Sequence, residues 1–243
     1  MLSKNQYKFI KSLKSKKKRS EHAVFLVEGV KVVQEFLKSR YNLVSLYSTS
    51  DFDYPLDTEV KKISENELKG ISSLITPNKL IGVFKILKPD PIDFSNLVVA
   101  LDRLNDPGNL GAIIRLCDWF GIKDLVCDKS TVDCYNPKVV QAAMGSHTRV
   151  NITYTDLFKL LSCSKNLIGT FMDGNSIYQT KLPDSGILIL GNESNGISKK
   201  IEDVVNLRIG VPRFGKLKQT ESLNVANSAA IILSEFMRSS IEK

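Results

Sequence analysis

Three turns rich in glycine, asparagine and proline carry the residue types in this sequence that are best suited to chemistry. They are residues 106–111 (DPGNLG), residues 191–196 (GNESNG) and residues 211–225 (VPRFGKLKQTESLNV). Each turn follows an apolar run that is typical of a buried strand. Because ligands gather at the carboxyl ends of the strands in α/β sheets, the three turns are expected to border one site.

Two common nucleotide-binding motifs are absent from these turns. No GxGxxG follows a predicted strand, which argues against a dinucleotide fingerprint. The glycines at 191 and 196 have the spacing of a phosphate loop, but Ile197 stands where that loop needs a lysine. This argues against a nucleotide triphosphatase. Each turn alone is compatible with a plain strand-to-helix connection, whereas three in one half of the chain favour a binding site.

The cysteines and histidines predict neither a disulfide framework nor a metal site. The four cysteines are scattered without a CxxC pair, and there are two histidines. This pattern predicts reduced thiols in a cytoplasmic protein. No apolar run reaches the roughly 18–20 residues that span a bilayer, and the N-terminus lacks the apolar core of a signal peptide. His147, in a Gly-Ser-His turn, is interpreted as a structural residue.

The net charge of +8 is concentrated at the N-terminus. Residues 1–20 contain basic residues and no acidic one, and over the rest of the chain the two signs balance. Such a segment suits a polyphosphate backbone, although a merely solvated helix is the alternative. The candidate nucleic-acid contacts are Lys16, Lys17, Lys18 and Arg19.

The pattern of apolar residues predicts two α/β domains that position these residues. In the first half, strands at 23–28, 42–49, 60–64 and 80–87 alternate with helices, and Ser64 with Glu67 forms a capping-box pattern. Pro89 and Pro91 mark the best linker, which gives domains at residues 1–88 and 95–243. In the second half, six apolar strands alternate with helices, which predicts a mostly parallel sheet covered on both faces.

The three turns resemble the ordered motifs of the SpoU/TrmH family of RNA ribose 2′-O-methyltransferases. The matching segments are DPGNLGAIIR, LGNESNGIS and VPRFG…ESLNVANSAAI. FLVEGVKVVQEFL also resembles the start of the family's N-terminal RNA-binding domain, and PKVVQAAMGSHTRV the segment between the first two motifs. The resemblance therefore covers most of the chain, from about residue 23 to residue 238.

The resemblance implies an α/β fold of the SPOUT type with a deep trefoil knot in the C-terminal catalytic domain, although knots are otherwise nearly absent from proteins. It implies a smaller N-terminal α/β domain that binds a structured RNA, S-adenosylmethionine as the cofactor, no metal, no membrane and a homodimer. Ribosomal RNA is favoured over transfer RNA, and the choice of RNA is expected to reside in residues 1–88.

The resemblance assigns catalytic roles to Arg115, Asn109, Glu193, Ser222 and Asn224. For Arg115 the family proposal is activation of the 2′-hydroxyl. Because a guanidinium does not lose its proton in proteins, we favour a fork that holds the adjacent phosphate and stabilises developing negative charge. The alternative is an exposed helix residue paired with Asp118. Asn109 is assigned to the turn or the ribose, with a helix cap as the alternative.

Glu193 is assigned to a contact with Asn or Arg side chains across the site, or with the positive end of the cofactor. Its alternative is an exposed loop charge. Ser222 and Asn224 are assigned to the ribose or the cofactor, and Ser222 has the further alternative of capping the last helix.

The resemblance assigns cofactor contacts to backbone groups at Gly191, Val211 and Leu223 and places Thr170 in the same pocket. One segment departs from the family pattern. Residues 213–220 (RFGKLKQT) are longer and more basic than the usual apolar stretch, so that Arg213, Lys216 and Lys218 could reach RNA instead. The assignment of Val211 depends most on this departure.

Three other functions stay open at this point. A non-catalytic RNA-binding protein with the same fold is disfavoured by the intact motif residues. A methyltransferase that modifies a base is disfavoured because related knotted enzymes of that kind carry different motifs. A small-molecule enzyme of the doubly wound class is disfavoured by the basic N-terminus and the missing dinucleotide fingerprint.

Overall fold

The computed structural model describes residues 1–51, 59–215, 217 and 222–241. In chain order its elements are α1 (Lys4–Ser12), α2 (Lys16–His22), β1 (Val24–Glu28), α3 (Val30–Leu37), β2 (Leu43–Ser48), β3 (Val60–Lys62), α4 (Glu65–Ile71), β4 (Leu80–Lys85), β5 (Leu97–Leu101), α5 (Pro107–Trp119), β6 (Asp124–Asp128), α6 (Pro137–Ala142), β7 (Asn151–Thr155), α7 (Leu157–Ser162), β8 (Leu167–Ser176), β9 (Gly186–Leu190), α8 (Lys199–Glu202), β10 (Leu207–Gly210) and α9 (Val225–Ile241). No helix in these ranges is long and apolar enough to cross a membrane.

The chain divides into two compact units. The first contains Met1–Lys88 and Asp133–Thr148, and the second contains Pro89–Val132 and Arg149–Lys243. One division falls at the proline-containing segment that was predicted as the linker. The units differ from the predicted domains because residues 133–148, which include α6, join the first unit, and residues 89–94 of the linker join the second.

The first unit is built on a four-stranded sheet in the order β1-β4-β2-β3. β4 is antiparallel to both β1 and β2, and β3 is parallel to β2. Both faces of the sheet are buried, and successive residues of β1 point to opposite sides. Val24 and Leu26 enter one apolar cluster with α1 and α4, whereas Phe25 and Val27 enter another with α3 and α6.

The predicted capping box of α4 is confirmed. The backbone N–H of Glu67 donates to the hydroxyl of Ser64 at 3.2 Å, and the backbone N–H of Ser64 donates to the Glu67 carboxylate at 2.8 Å. Backbone hydrogen bonds from Ser64 and Leu2 lower the pKa of Glu67. One of these comes from Leu2, so the capping carboxylate also holds the start of the chain against α4.

A buried ion pair ties the basic N-terminal segment to residues 133–148. The side chain of Arg19 is 2% exposed and donates from Nε to Asp133 at 3.0 Å. Its Nη1 atom also donates to the carbonyl oxygens of Leu13 and Lys14, where α1 ends. The expectation that Arg19 contacts nucleic acid is therefore wrong, because its guanidinium is buried and donates its hydrogen bonds within the first unit.

Arg19→Ala should lower the free energy of unfolding by about 3–5 kcal/mol, because it leaves the Asp133 carboxylate without its counterion in a nearly buried position. Chemical denaturation of the full chain measures the change, and Lys17→Ala on the exposed side of α2 is the control, with a change near zero. A loss for Arg19→Ala no larger than that of the control would show that the pair is not a structural link.

His147 is a structural residue, as predicted. Its ring is buried, stacks on Tyr135 with centroids 6.2 Å apart, and places Nε2 2.8 Å from the carbonyl oxygen of Cys134. Its Nδ1 atom has no hydrogen-bond partner among the described residues. Burial lowers the pKa of His147 to about 4, so the ring is neutral in the folded protein.

This depressed pKa predicts a loss of stability in mild acid. Below the ordinary pKa of histidine the ring is protonated in the unfolded chain but stays neutral in the folded protein. The free energy of unfolding therefore falls as the pH is lowered, until the pH reaches the pKa of the folded protein. Between about pH 7.5 and about pH 5 the free energy of unfolding of the wild type falls. In His147→Gln this fall should be smaller by about 2 kcal/mol. Denaturation curves at the two pH values measure this, and the exposed His22→Gln should leave the loss unchanged.

The second unit is a six-stranded parallel sheet in the order β10-β8-β9-β5-β6-β7. β5 is wholly buried, which confirms the prediction of a covered parallel sheet. β8 extends to Ser176, beyond the predicted residues 167–172, because its polar second part pairs with β10 alone. Gly174 allows this close pairing, since a Cβ there would lie 2.4 Å from the carbonyl carbon of Ile209.

The helices of the second unit agree with the predicted ones except at α8. α5 begins with Pro107 and is followed by Gly121 in the left-handed region with φ +71°. α8 has four residues, whereas residues 197–205 were predicted to be helical. The apolar spacing misleads here because Val204 and Val205 pack against the core from a turn rather than from a helix.

Candidate functional site

The three motif turns leave the sheet at one edge of the second unit. They follow β5, β9 and β10, and β9 lies between β5 and β8 in the parallel sheet. The backbone N–H of Asp102 donates to the carbonyl oxygen of Leu190 at 2.9 Å, so the first two turns begin side by side. This arrangement confirms that the turns border one region, as expected for carboxyl strand ends.

The first turn is fixed by capping at the start of α5. Asp106 is the N-cap residue, and its carboxylate accepts the backbone N–H of Asn109 at 2.8 Å. Asn109 therefore does not cap α5, and its side chain is available for contacts with the other two turns. Pro107 occupies the first helical turn, where a missing N–H costs nothing.

Glu193 from the second turn binds the first turn with both carboxylate oxygens. Oε1 accepts the backbone N–H of Asp106 at 3.1 Å and the side-chain amide of Asn109 at 3.1 Å. Oε2 accepts the backbone N–H of Asn105 at 3.3 Å. A carboxylate at the N-terminus of α5 also interacts favourably with the helix dipole. Glu193 is exposed, as its alternative has it, but these contacts fix its position in the site.

These hydrogen bonds keep Glu193 ionised. Partial burial opposes the negative charge, but the donors on Asn109, Asp106 and Asn105 outweigh burial and lower the pKa of Glu193. The site therefore contains a fixed negative charge at neutral pH.

Asn224 connects the third turn to the first turn through Asn109. Its side-chain amide donates to Oδ1 of Asn109 at 2.8 Å, and its own Oδ1 accepts the backbone N–H groups of Ala226 and Asn227 at 2.9 and 3.3 Å. Asn224 thus acts as the cap of α9, a role that was the alternative for Ser222. Ser222 lies exposed, two residues before this cap.

The second turn closes on its own backbone. Asn192 and Gly196 exchange backbone hydrogen bonds of 3.0 and 2.9 Å, and the Asn192 side chain donates to the carbonyl oxygen of Arg103 at 2.8 Å. A Cβ on Gly191 would lie 2.3 Å from the backbone of Gly196, so only glycine fits. Gly191 therefore lets the backbone of the turn pack closely at the end of β9.

Asp102 and Arg103 are site-supporting residues that the motif comparison did not single out. The buried Asp102 carboxylate accepts the backbone N–H of Ser198 at 2.6 Å and the Nε–H of Arg103 at 2.9 Å. Arg103 has a positive φ of 59°, which is costly for a residue with a side chain. An acid directly after a buried apolar strand is the signal in the sequence that could have identified Asp102.

Arg115 lies exposed on α5 and is not part of the hydrogen-bond chain. Among the residues that the structure describes it forms no ion pair, and Asp118 is held by Arg149, with Nη2 of Arg149 2.9 Å from Oδ2 of Asp118. The alternative that Arg115 pairs with Asp118 is therefore wrong. A guanidinium in this position can reach a ligand, since neighbouring side chains do not consume its donors.

Of the predicted cofactor residues, Gly191 and Val211 directly follow strands, Thr170 lies within one and Leu223 precedes the last helix. Thr170 is in β8 and donates from its hydroxyl to the carbonyl oxygen of Ile189 at 3.1 Å. Val211 directly follows β10, and Leu223, about half exposed, precedes α9. Of the basic loop, Lys216 and Lys218 lie outside the described residues.

Two family comparisons match the two halves of the chain. The profile of the SpoU rRNA Methylase family matches residues 96–234, which contain all three motif turns. The chain belongs to the SpoU rRNA methylase family. The profile of the MRM3-like substrate binding domain matches residues 4–82 of this SpoU-family chain, within the first compact unit.

Individual relatives agree with this assignment. The SpoU-family chain is 31% identical to the 23S rRNA (guanosine(2553)-2′-O)-methyltransferase RlmP of Bacillus subtilis, over 92% of both chains. A TrmH-family structure from Porphyromonas gingivalis is 37% identical, with a TM-score of 0.88 over 98% of this chain and 99% of the other. An AdoMet-bound rRNA methyltransferase from Sinorhizobium meliloti is 25% identical, with a TM-score of 0.84 over 98% and 97%.

Glu193→Gln should destabilise the second unit by about 1–3 kcal/mol, because the new amide group faces N–H donors where the carboxylate accepted them. Chemical denaturation measures this, and Ser194→Ala, an exposed neighbour in the same turn, should change little. Equal stability of the Gln variant and wild type would mean that the Glu193 contacts do not hold the turns together.

Proposed function

We propose that this SpoU-family protein transfers the methyl group of S-adenosylmethionine to a ribose 2′-hydroxyl of ribosomal RNA. The observation that carries the proposal is the chain of hydrogen bonds from Glu193 through Asn109 to Asn224, which joins all three family motifs at one sheet edge. The similarity to the Bacillus RlmP protein over 92% of both chains favours 23S rRNA as the substrate molecule.

The residues at this edge fit S-adenosylmethionine. The close packing at Gly191 leaves room only for backbone beside the end of β9, and the exposed apolar side chains of Phe214 and Leu223 lie in the neighbouring third turn. Glu193 supplies a fixed negative charge in the same set of turns, which suits a cationic ligand. When bound, the cofactor supplies an electrophilic methyl group on a sulfonium.

The protein's part in the reaction is positioning. The side-chain amide of Asn109 donates to Glu193, and its side-chain oxygen accepts from Asn224. Asn109 therefore holds the start of α5 against the other turns rather than exchanging protons. Alignment of two bound reactants can contribute roughly 7–11 kcal/mol to catalysis, so a rigid edge is the main requirement. Ser222, exposed two residues before Asn224, is proposed to donate a hydrogen bond to bound substrate.

Arg115 is proposed to hold the RNA phosphate next to the target ribose. The donors of its guanidinium are not engaged by a described acid. A planar fork of N–H groups matches a phosphate better than a point charge does, and it also stabilises negative charge on the attacking oxygen.

Arg115→Ala should therefore abolish methyl transfer while leaving cofactor affinity almost unchanged. Single-turnover transfer and calorimetric binding of S-adenosylmethionine measure the two quantities, and Arg115→Lys should recover only a small part of the rate because the fork is lost. A cofactor affinity weakened tenfold or more would assign Arg115 to the cofactor site instead.

The proposed reaction is tested with tritiated S-adenosylmethionine and total RNA from a strain that lacks this gene. Label in ribosomal RNA, recovered as an alkali-resistant dinucleotide, is expected, because a 2′-O-methyl group blocks cleavage of the next phosphodiester. Label in an alkali-sensitive nucleotide would indicate base methylation. Absence of both label and cofactor binding would favour a non-catalytic RNA-binding protein. The homodimer, the trefoil knot and the cytoplasmic location stay predictions.

A further inference from the structure

The structure divides the basic residues of the N-terminal segment into two groups. Arg19 is buried with Asp133, Lys14 donates to a backbone carbonyl oxygen at 2.6 Å, and Lys18 pairs with a neighbouring glutamate at 2.8 Å. These three side chains are used to build the first unit. The remaining lysines of residues 1–20 are exposed.

Three of the exposed lysines form a straight row on α1, called here the lysine ridge: Lys4, Lys8 and Lys11. Residues four and three apart along a helix share one face, so the ridge runs about 10 Å along the helix axis. The opposite face carries Ile10, which is buried in the core with Leu13. The ridge therefore points to solvent away from the first unit.

The ridge is held rigidly because both ends of α1 are fixed. Ser3 and Gln6 form a capping box at the start, and Arg19 donates to the carbonyl oxygens of the two residues that follow α1. Midway, Tyr7 packs so closely against α4 that a Cβ on Gly70 would lie 2.2 Å from the Tyr7 hydroxyl. A rigid row of charges loses little entropy when it binds a rigid partner.

The ridge is unfavourable for the isolated protein. Like charges at this spacing repel each other along a helix, and lysine near a helix N-terminus opposes the helix dipole. No acidic residue in the first turn of α1 offsets these effects. A polyanionic partner would remove both penalties.

The residue types on the ridge indicate a phosphate backbone rather than bases. Lysines act as point charges for phosphates, whereas single-stranded RNA is read by stacking on open aromatic rings. Tyr7 and Phe9, the aromatic residues of α1, are only half exposed and pack against the core, and Lys11 covers the ring of Tyr7 at 5.8 Å. A straight, rigid row without a stacking platform suits the regular phosphates of an RNA duplex.

We infer that the lysine ridge docks on the phosphate backbone of a double-stranded segment of the RNA substrate. The partner's identity as RNA rests on the proposed function. The ridge reads shape and charge rather than sequence, so it contributes affinity and orientation and leaves the choice of nucleotide to other parts of the protein.

The test is the salt dependence of RNA binding by the full-length protein without cofactor. The probes are an RNA hairpin with one full helical turn and an unpaired oligouridylate with the same number of phosphates. The measured quantity is the slope of the logarithm of the association constant against the logarithm of the salt concentration. The ridge variant combines Lys4→Gln, Lys8→Gln and Lys11→Gln. On the hairpin its slope should be shallower than that of wild type by about 2–3, since each phosphate contact contributes about 0.9. The slope on oligouridylate should change by less than one contact.

The matched control removes three exposed lysines elsewhere in the first unit: Lys38→Gln, Lys85→Gln, Lys88→Gln combined. It has the same net charge as the ridge variant and should keep the wild-type slope, and neither variant should unfold below the wild-type temperature. Equal flattening in both variants, an unchanged slope in the ridge variant, or a loss confined to oligouridylate would each overturn the inference. Absence of methyl transfer with a ridge-dependent slope would overturn the proposed function alone.

Discussion

The carboxylate of Glu193 is the point on which the geometry of the site depends. It accepts two backbone N–H groups at the start of α5 and the amide of Asn109, and Asn109 in turn receives Asn224 from the start of α9. Hydrogen bonds between residues 84 and 115 positions apart in the chain thereby hold the three loops together. The two helices and the turn after β9 cannot move independently, which is what a reaction controlled by alignment requires.

The N-terminal charge is organised by a second polar contact. Arg19 is buried where an exposed basic residue was expected, and its ion pair with Asp133 fixes the end of α1. The cationic residues around it are consequently presented on a defined surface rather than on a floating tail. The buried ion pair of Arg19 thus fixes the helices that carry the exposed lysines of the N-terminal segment.

The sequence predicted most elements because their apolar spacing and caps are local signals. The covered strand β5, the capping box at Ser64 and the limits of α5 follow from neighbouring residues alone. Local residues do not predict the extension of β8, which depends on its partner strand β10. They do not predict the short α8 either, because it depends on the tertiary packing of two valines. At the site, motif resemblance identified Asn109, Glu193 and Asn224, but their mutual contacts depend on strand order. The burial of Arg19 depends on a residue more than a hundred positions away, which no local pattern reveals.

The inclusion of residues 133–148 in the first unit has a consequence for how the protein is made. The chain leaves the second unit after Val132 and returns to it at Arg149, so the first unit is assembled from two separate stretches. A ribosome that has synthesised only residues 1–88 has not yet supplied Asp133 for Arg19, nor Tyr135, whose ring packs 4.5 Å from that of Phe25. Until α6 emerges, the nascent first unit therefore lacks part of the cover over one face of its sheet and the counterion of Arg19. Its folding is coupled in time to the synthesis of the first strands of its neighbour.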